Sequence, residues 1–186
     1  MARFGSRREV LQLAGSGIVF LSGCSTLSPQ QSARQTVTPA PPASAEEIAE
    51  SDCPPYGGQN NSICSHTVET DSASVYLLPS QTVGKSPESL TLTFYNNSET
   101  ELTFNPFSWT IRFKNPSGWT EIEQKSSGSG KVSVAPGDTV AWSFEEVVGY
   151  INEAEAIGSG TYTAEINVPG PSTDDWITCL ALFSIQ

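Results

Sequence analysis

Apolar and polar residues alternating with a period of two, turn-forming clusters roughly every 8–12 residues and almost no helical periodicity predict that residues 73–186 form an all-β domain. Seven to eight strands of this spacing within about 115 residues correspond to an antiparallel immunoglobulin-like β-sandwich. Four tryptophans and eight phenylalanines suffice for one apolar core. Burying each large side chain contributes about 1.5–3 kcal/mol.

The first strand centres on Val75 and Leu77 and is ended by Pro79, which has no N–H for a ladder. Leu90, Leu92 and Phe94 alternate with Thr91 and Thr93, and Asn96-Asn97-Ser98 turns the chain toward Leu102 and Phe104. After the interruption at Asn105-Pro106, Trp109, Ile111 and Phe113 alternate with Thr110, Arg112 and Lys114. Asn115-Pro116-Ser117-Gly118 is a strong turn leading to Trp119, Glu121 and Ile122. A Gly/Ser loop, Ser126–Gly130, precedes Val132 and Val134, and the turn Pro136-Gly137-Asp138 follows them. Val140, Trp142 and Phe144 then alternate with Ala141, Ser143 and Glu145. An irregular link from Val147 to Gly158, with room for a helical turn over Asn152–Ala156, leads to Tyr162, Ala164, Ile166 and Val168. The last strand runs from Trp176 to Ile185, with Ile177, Cys179, Ala181, Phe183 and Ile185 on one face. Phe94, Trp109, Trp142 and Phe183 are the expected core.

Ahead of this domain the composition changes three times. Residues 1–23 have the plan of an export signal: a basic head of Arg3, Arg7 and Arg8, an apolar zone from Val10 to Leu21, and small residues before a break. The apolar zone is about a dozen residues, short of the roughly 20 that cross a bilayer. Ser6-Arg7-Arg8-Glu9-Val10-Leu11 resembles the twin-arginine motif of folded-protein export. Leu21-Ser22-Gly23-Cys24 resembles a lipobox, in which the Cys24 thiol takes a lipid and becomes the new N-terminus. The expected location is therefore the extracellular face of the cell membrane, with the membrane itself a partner through that lipid. Residues 24–50, rich in Ser, Thr, Gln, Pro and Ala, are expected to be a disordered tether, because ordering costs about 1–2 kcal/mol per residue and there is little to bury. A helical turn at Ala45–Ala49 is too short to be stable alone.

Residues 51–72 form a cysteine-containing lead-in. With Cys24 assigned to lipid, Cys53, Cys64 and Cys179 remain, and outside the cell two of them should pair. Cys53–Cys64 is favoured, because the Gly and Pro residues between them let the chain turn back. Cys179 bonded to one of them, or no bond at all, are the alternatives. Cys179 lies in an apolar alternation and has the setting of a small buried hydrophobe.

Composition excludes several chemistries. Nine Lys+Arg against 20 Asp+Glu give a formal net charge of −11, the wrong sign for gripping nucleic acid. Loss of residues 1–23 would remove Arg3, Arg7, Arg8 and Glu9, making the chain more acidic still, which fits a protein of high-salt surroundings, with an ordinary acidic secreted protein as the alternative. His66 is the single histidine and Met1 the single methionine. A blue-copper centre needs two histidines and a cysteine, usually with a methionine. Cys64-Ser65-His66 lacks the second ligand pair of a tetrahedral metal site, and a Ser–His–Asp triad would have to use His66 from outside the regular strands. Glu145-Glu146, Asp174-Asp175 and Glu153 with Glu155 are better explained as solvated surface than as a glycosidase pair, and Asp174-Asp175 lacks the ligand spacing of a calcium loop. Asn60-Asn61-Ser62 and Asn96-Asn97-Ser98 are sequons, so Asn60 and Asn96 either carry glycan or serve only as turns.

Leu92 to Phe113, then Gly118-Trp119, Val134-Ala-Pro-Gly-Asp-Thr-Val140 and Ile157-Gly-Ser-Gly-Thr-Tyr-Thr-Ala164 together carry a resemblance. They are similar to the small Ig-like domains of prokaryotic, haloarchaeal-type twin-arginine surface lipoproteins, and more loosely to the BsuPI-type proteinase-inhibitor fold. The resemblance covers residues 73–186 and implies a β-sandwich without catalytic residues. The Cys53–Cys64 segment has no counterpart in it. The expectation is a monomeric, non-catalytic module without metal or cofactor, presenting loops or a sheet edge to a protein or envelope partner. The alternative is a proteinase inhibitor acting through Ser126–Lys131 or Val147–Ser159.

Overall fold

The computed structural model describes residues 38–54, 61–123, 128–149, 157–172 and 175–186. Among these run the strands β1 (Ser62–Cys64), β2 (Val75–Pro79), β3 (Val83–Gly84), β4 (Thr91–Asn96), β5 (Leu102–Phe104), β6 (Trp109–Asn115), β7 (Gly118–Ile122), β8 (Val132–Val134), β9 (Thr139–Ser143), β10 (Gly160–Pro169) and β11 (Trp176–Ile185). Two single-turn helices, α1 (Ala45–Ala49) and α2 (Phe144–Val148), accompany them. The expected all-β character is present.

The larger sheet has the order β1-β11-β10-β6-β7, with β3 also pairing β11. A smaller sheet has the order β2-β4-β9, and β5 pairs β8 in a separate ladder. The expectation of wholly antiparallel sheets is corrected here, because β1 and β3 both run parallel to β11. β10 occupies one side of β11 from Gly160↔Ile185 to Pro169↔Trp176, so β1 and β3 divide the other side between them. Apolar alternation sets which face a residue takes but carries no strand direction. Two short parallel segments here cover backbone groups that would otherwise be an open edge.

The turns follow the side-chain chemistry of asparagine. The Oδ1 atoms of Asn96, Asn105 and Asn115 each accept a hydrogen bond from the backbone N–H two residues on, at 3.1, 3.1 and 2.7 Å. In Pro136-Gly137-Asp138, Gly137 has a φ of 77°, a left-handed conformation open to glycine at no steric cost.

One apolar cluster draws Val75, Leu77, Leu92 and Phe94 from the smaller sheet and Trp109, Ile111, Tyr162, Ala164, Ile166, Cys179, Ala181 and Phe183 from the larger. Trp109 meets Trp142 edge to face at 5.1 Å, and Phe94 meets Phe104 at 5.1 Å. Phe144 departs from its expected place. The strand ends at Ser143, which caps α2, and Phe144 starts that helix fully buried against Phe183 at 4.8 Å.

The outer face of the larger sheet carries a second apolar layer. Ile48, Cys64, Leu180 and Leu182 form a buried cluster with Ala43, Cys53 and Trp119 packed around it. β11 is thus buried on both faces, which accounts for the unbroken apolar run Cys179–Phe183. Over residues 38–50 this corrects the expectation of a disordered tether, while residues 24–37 lie outside the described residues. From residue 38 the chain lies on the domain, because Ile48 gives it one apolar residue to bury and Ser44 caps a turn of helix around that residue.

Candidate functional site

The N-terminal arm, residues 38–54, builds one wall of a concavity. Its Pro39-Ala40-Pro41-Pro42 run has few N–H groups to satisfy, and those beside it find partners on the sheet. The Ala40 N–H donates to the Lys114 carbonyl at 2.8 Å, the Ala43 N–H to Thr161 Oγ1 at 2.9 Å, and Ser184 Oγ donates to the Ala43 carbonyl at 2.6 Å. α1 then begins with a reciprocal cap. Ser44 Oγ accepts from the Glu47 N–H, while Glu47 Oε2 accepts from the Ser44 N–H at 2.7 Å. The Ser44 backbone bond, then the Ser44 hydroxyl, holds the Glu47 carboxyl below its ordinary value.

Past α1 the arm is bonded covalently. Cys53 and Cys64 form the disulfide favoured from the sequence, closing residues 53–64 into a loop. His66 adds a second tie: its Nε2 lies 2.8 Å from the Ser51 carbonyl. A carbonyl oxygen only accepts, so Nε2 carries the hydrogen, and Nδ1 is buried without a hydrogen-bond partner among the described residues. His66 thus secures the arm. Cys179 keeps a free thiol inside the core, and burial pushes it up to about 12, so it is inert as a thiolate.

Between the arm and the sheet lies a cleft of about 670 Å³. Pro42, Ile48, Trp119 and Leu182 give it apolar walls, Lys114 is its cation, and Glu50 and Asp52 stand on the arm side. Trp119 and Lys114 face each other across the β6–β7 ladder, so one hairpin supplies both the aromatic wall and the positive charge. Next along the same outward face, Arg112 lies between Glu165, which it contacts through Nη1, and Glu121, 2.9 Å from Nη2. Burial raises the Glu165 carboxyl above its ordinary value, and the hydrogen bond and charge of Arg112 partly oppose that shift. Sequence reading passed over Glu165 because it occupies an ordinary outward position of an alternating strand. Only the covering of that face makes it buried.

Other residues singled out from the sequence fall elsewhere. Arg7, Arg8, Cys24, Asn60, Glu153, Glu155, Asp174 and the proposed helical turn Asn152–Ala156 lie outside the described residues. Glu145 and Glu146 occupy the first turn of α2, where Glu146 completes the Ser143 cap and so has a structural job. Of the two alternatives for Asn96 the turn role is the one the structure shows: it is fully buried, and its Nδ2 faces the carbonyls of Thr100, Val134 and Ala135. Of the Ser126–Lys131 loop, the described part is held: Asn105 Nδ2 donates to the Gly128 carbonyl at 2.9 Å. The Phe107 ring also lies so close to Gly128 and Gly130 that a Cβ at Gly130 would sit 2.6 Å from it.

No protein-family model and no curated protein matches the chain. Among solved structures, Pseudomonas fluorescens alkylpurine DNA glycosylase AlkC, bound to DNA containing an abasic site analog, is similar at 12% identity and a TM-score of 0.30. That similarity covers 61% of this chain and 31% of the glycosylase chain.

Proposed function

We propose that this protein is a non-catalytic, lipid-anchored cell-surface module, held at the extracellular face of the membrane through Cys24 and displaying the opposite end of an immunoglobulin-like sandwich to a protein or envelope partner. The observation that carries this reading is the separation of two ends. The arm meets the sheet beside Thr161 and Ser184, which are paired at one end of the β10–β11 ladder. Pro169 and Trp176 pair at the other end, about 25 Å further along at roughly 3.3 Å per residue. Trp176 is 55% exposed, and Thr100 Oγ1 donates to the Pro171 carbonyl at 3.3 Å, bringing the β4–β5 turn beside the β10–β11 hairpin. That hairpin and its tryptophan thus lie at the end of the ladder away from where the arm meets it.

Three further observations support parts of the reading. The order β11-β10-β6-β7 shares one core with β2-β4-β9, and the chain passes from the smaller sheet to the larger between β2 and β3. Tyr162 is fully buried, and its hydroxyl donates to the Gly158 carbonyl at 3.0 Å, like the tyrosine corner of immunoglobulin-type sandwiches. The Cys53–Cys64 bond suits an oxidising compartment.

Fractionation tests the anchor. Wild-type protein should sediment with membranes and the Cys24→Ala variant should appear in the soluble fraction; an unchanged distribution overturns the proposal. The proteinase-inhibitor alternative is favoured by the held Gly128–Gly130 segment. Stoichiometric loss of a serine proteinase's activity on mixing would select it.

A further inference from the structure

We propose that residues 38–54 are a strap clipped shut by the Cys53–Cys64 bond, and that a dithiol reductant opens it and bares the apolar strip of Leu180, Leu182 and Trp119 on the outer face of the larger sheet. The strap belongs to no sheet. Every strand pairing forms without it, including β1 on β11, which has its own register from Ser62↔Thr178 to Cys64↔Leu180 and flanking bonds from the Thr178 N–H to Asn61 and from the Ser65 N–H to Leu180. Apart from the disulfide, the strap is held by Ile48, by the bonds of Ala40 and Ala43 to the sheet, and by His66 on Ser51. A cleft of about 670 Å³ lies between the strap and the sheet, lined by Pro42, Ile48 and Asp52 on one side and Lys114, Trp119 and Leu182 on the other.

The two cysteines are unequally exposed. Cys64 is only 2% exposed, whereas Cys53, at the end of the strap, is half-buried. A thiolate of the dithiol therefore reaches Cys53 Sγ. The new sulfur–sulfur bond forms there as the Cys53–Cys64 bond breaks, and Cys64 leaves as a thiolate and takes a proton. The second thiol of the reductant, as thiolate, then attacks the reductant sulfur bonded to Cys53. Cys53 departs with its electron pair and takes a proton. The protein gains two electrons and two protons, and the reductant closes into its own disulfide.

Amide hydrogen exchange on the folded full chain, with and without dithiothreitol, tests the strap. The N–H groups of Ala40, Ala43 and Ile48 are all hydrogen-bonded within or beneath it, and those of Ala164 and Ala181 lie in the β10–β11 ladder as references. Reduction should speed exchange at Ala40, Ala43 and Ile48 about tenfold or more while the references keep their protection. Unchanged strap protection overturns the proposal, as does an equal loss at the references, which would make the bond a staple for the whole domain. The Cys53→Ser/Cys64→Ser variant should match the reduced protein without reductant; if it does not fold, reduction of the folded wild type decides alone.

Discussion

Asn96 fills the turn after β4 with a single amide. Its Nδ2 faces three carbonyls and its Oδ1 accepts from the N–H and the hydroxyl of Ser98, at 3.1 and 2.6 Å. An alanine there would leave the buried Val134 carbonyl without this partner and remove the bonds from Ser98, so Asn96→Ala should lower unfolding stability by about 2–3 kcal/mol, measured by urea titration. Protein made in a glycosylating host should carry no glycan at Asn96, checked by peptide mass. The sequence showed that Asn96-Asn97-Ser98 turns the chain. It did not show which way the amide points, since that depends on Val134 and Ala135, 38 and 39 residues away.

The helices show what alternation conceals at the scale of an element. Val140, Trp142 and Phe144 keep a strand's period, yet Ser143-Phe-Glu-Glu146 is a Ser-x-x-Glu cap, and the cap prevails because Phe144, Val147 and Val148 all become buried in α2. Ser44-Ala-Glu-Glu47 repeats the device in α1, a turn too short to persist alone and held by the burial of Ile48. Both signals were legible once caps are weighed against periodicity. Ser143→Ala should cost about 1 kcal/mol, seen as a lower denaturation midpoint with an unchanged slope. Strand positions were legible because turns punctuate them. The parallel placement of β1 and β3 was not, because a two- or three-residue strand carries too little pattern to choose a neighbour.

For the whole molecule, charge is the dominant trait: −11 over 186 residues, with Glu165 buried among it. Burial raises the Glu165 carboxyl against the opposing pull of Arg112, while Glu121 pushes the same way as burial. The folded state therefore holds this proton more tightly than the unfolded chain does. The stabilisation it brings is full below the unfolded value near 4.5 and is lost as the pH rises through the folded one. Urea titrations from pH 7 down toward 4.5 should show wild type gaining on Glu165→Gln; a constant difference would contradict this. The candidate site was the least legible part of the chain. The Pro-rich arm looks like linker by composition, and nothing local announces that Ala40 and Ala43 find bonding partners in the β6–β7 hairpin and on β10.

The ten residues Trp176–Ile185 would be an ideal seed for a cross-β stack if they were ever offered to another molecule. With β10 on one flank and β1 and β3 on the other, residues 178–180 and 184–185 have no vacant hydrogen-bonding side to offer. Many copies can therefore be crowded together without this greasy ribbon nucleating fibrils.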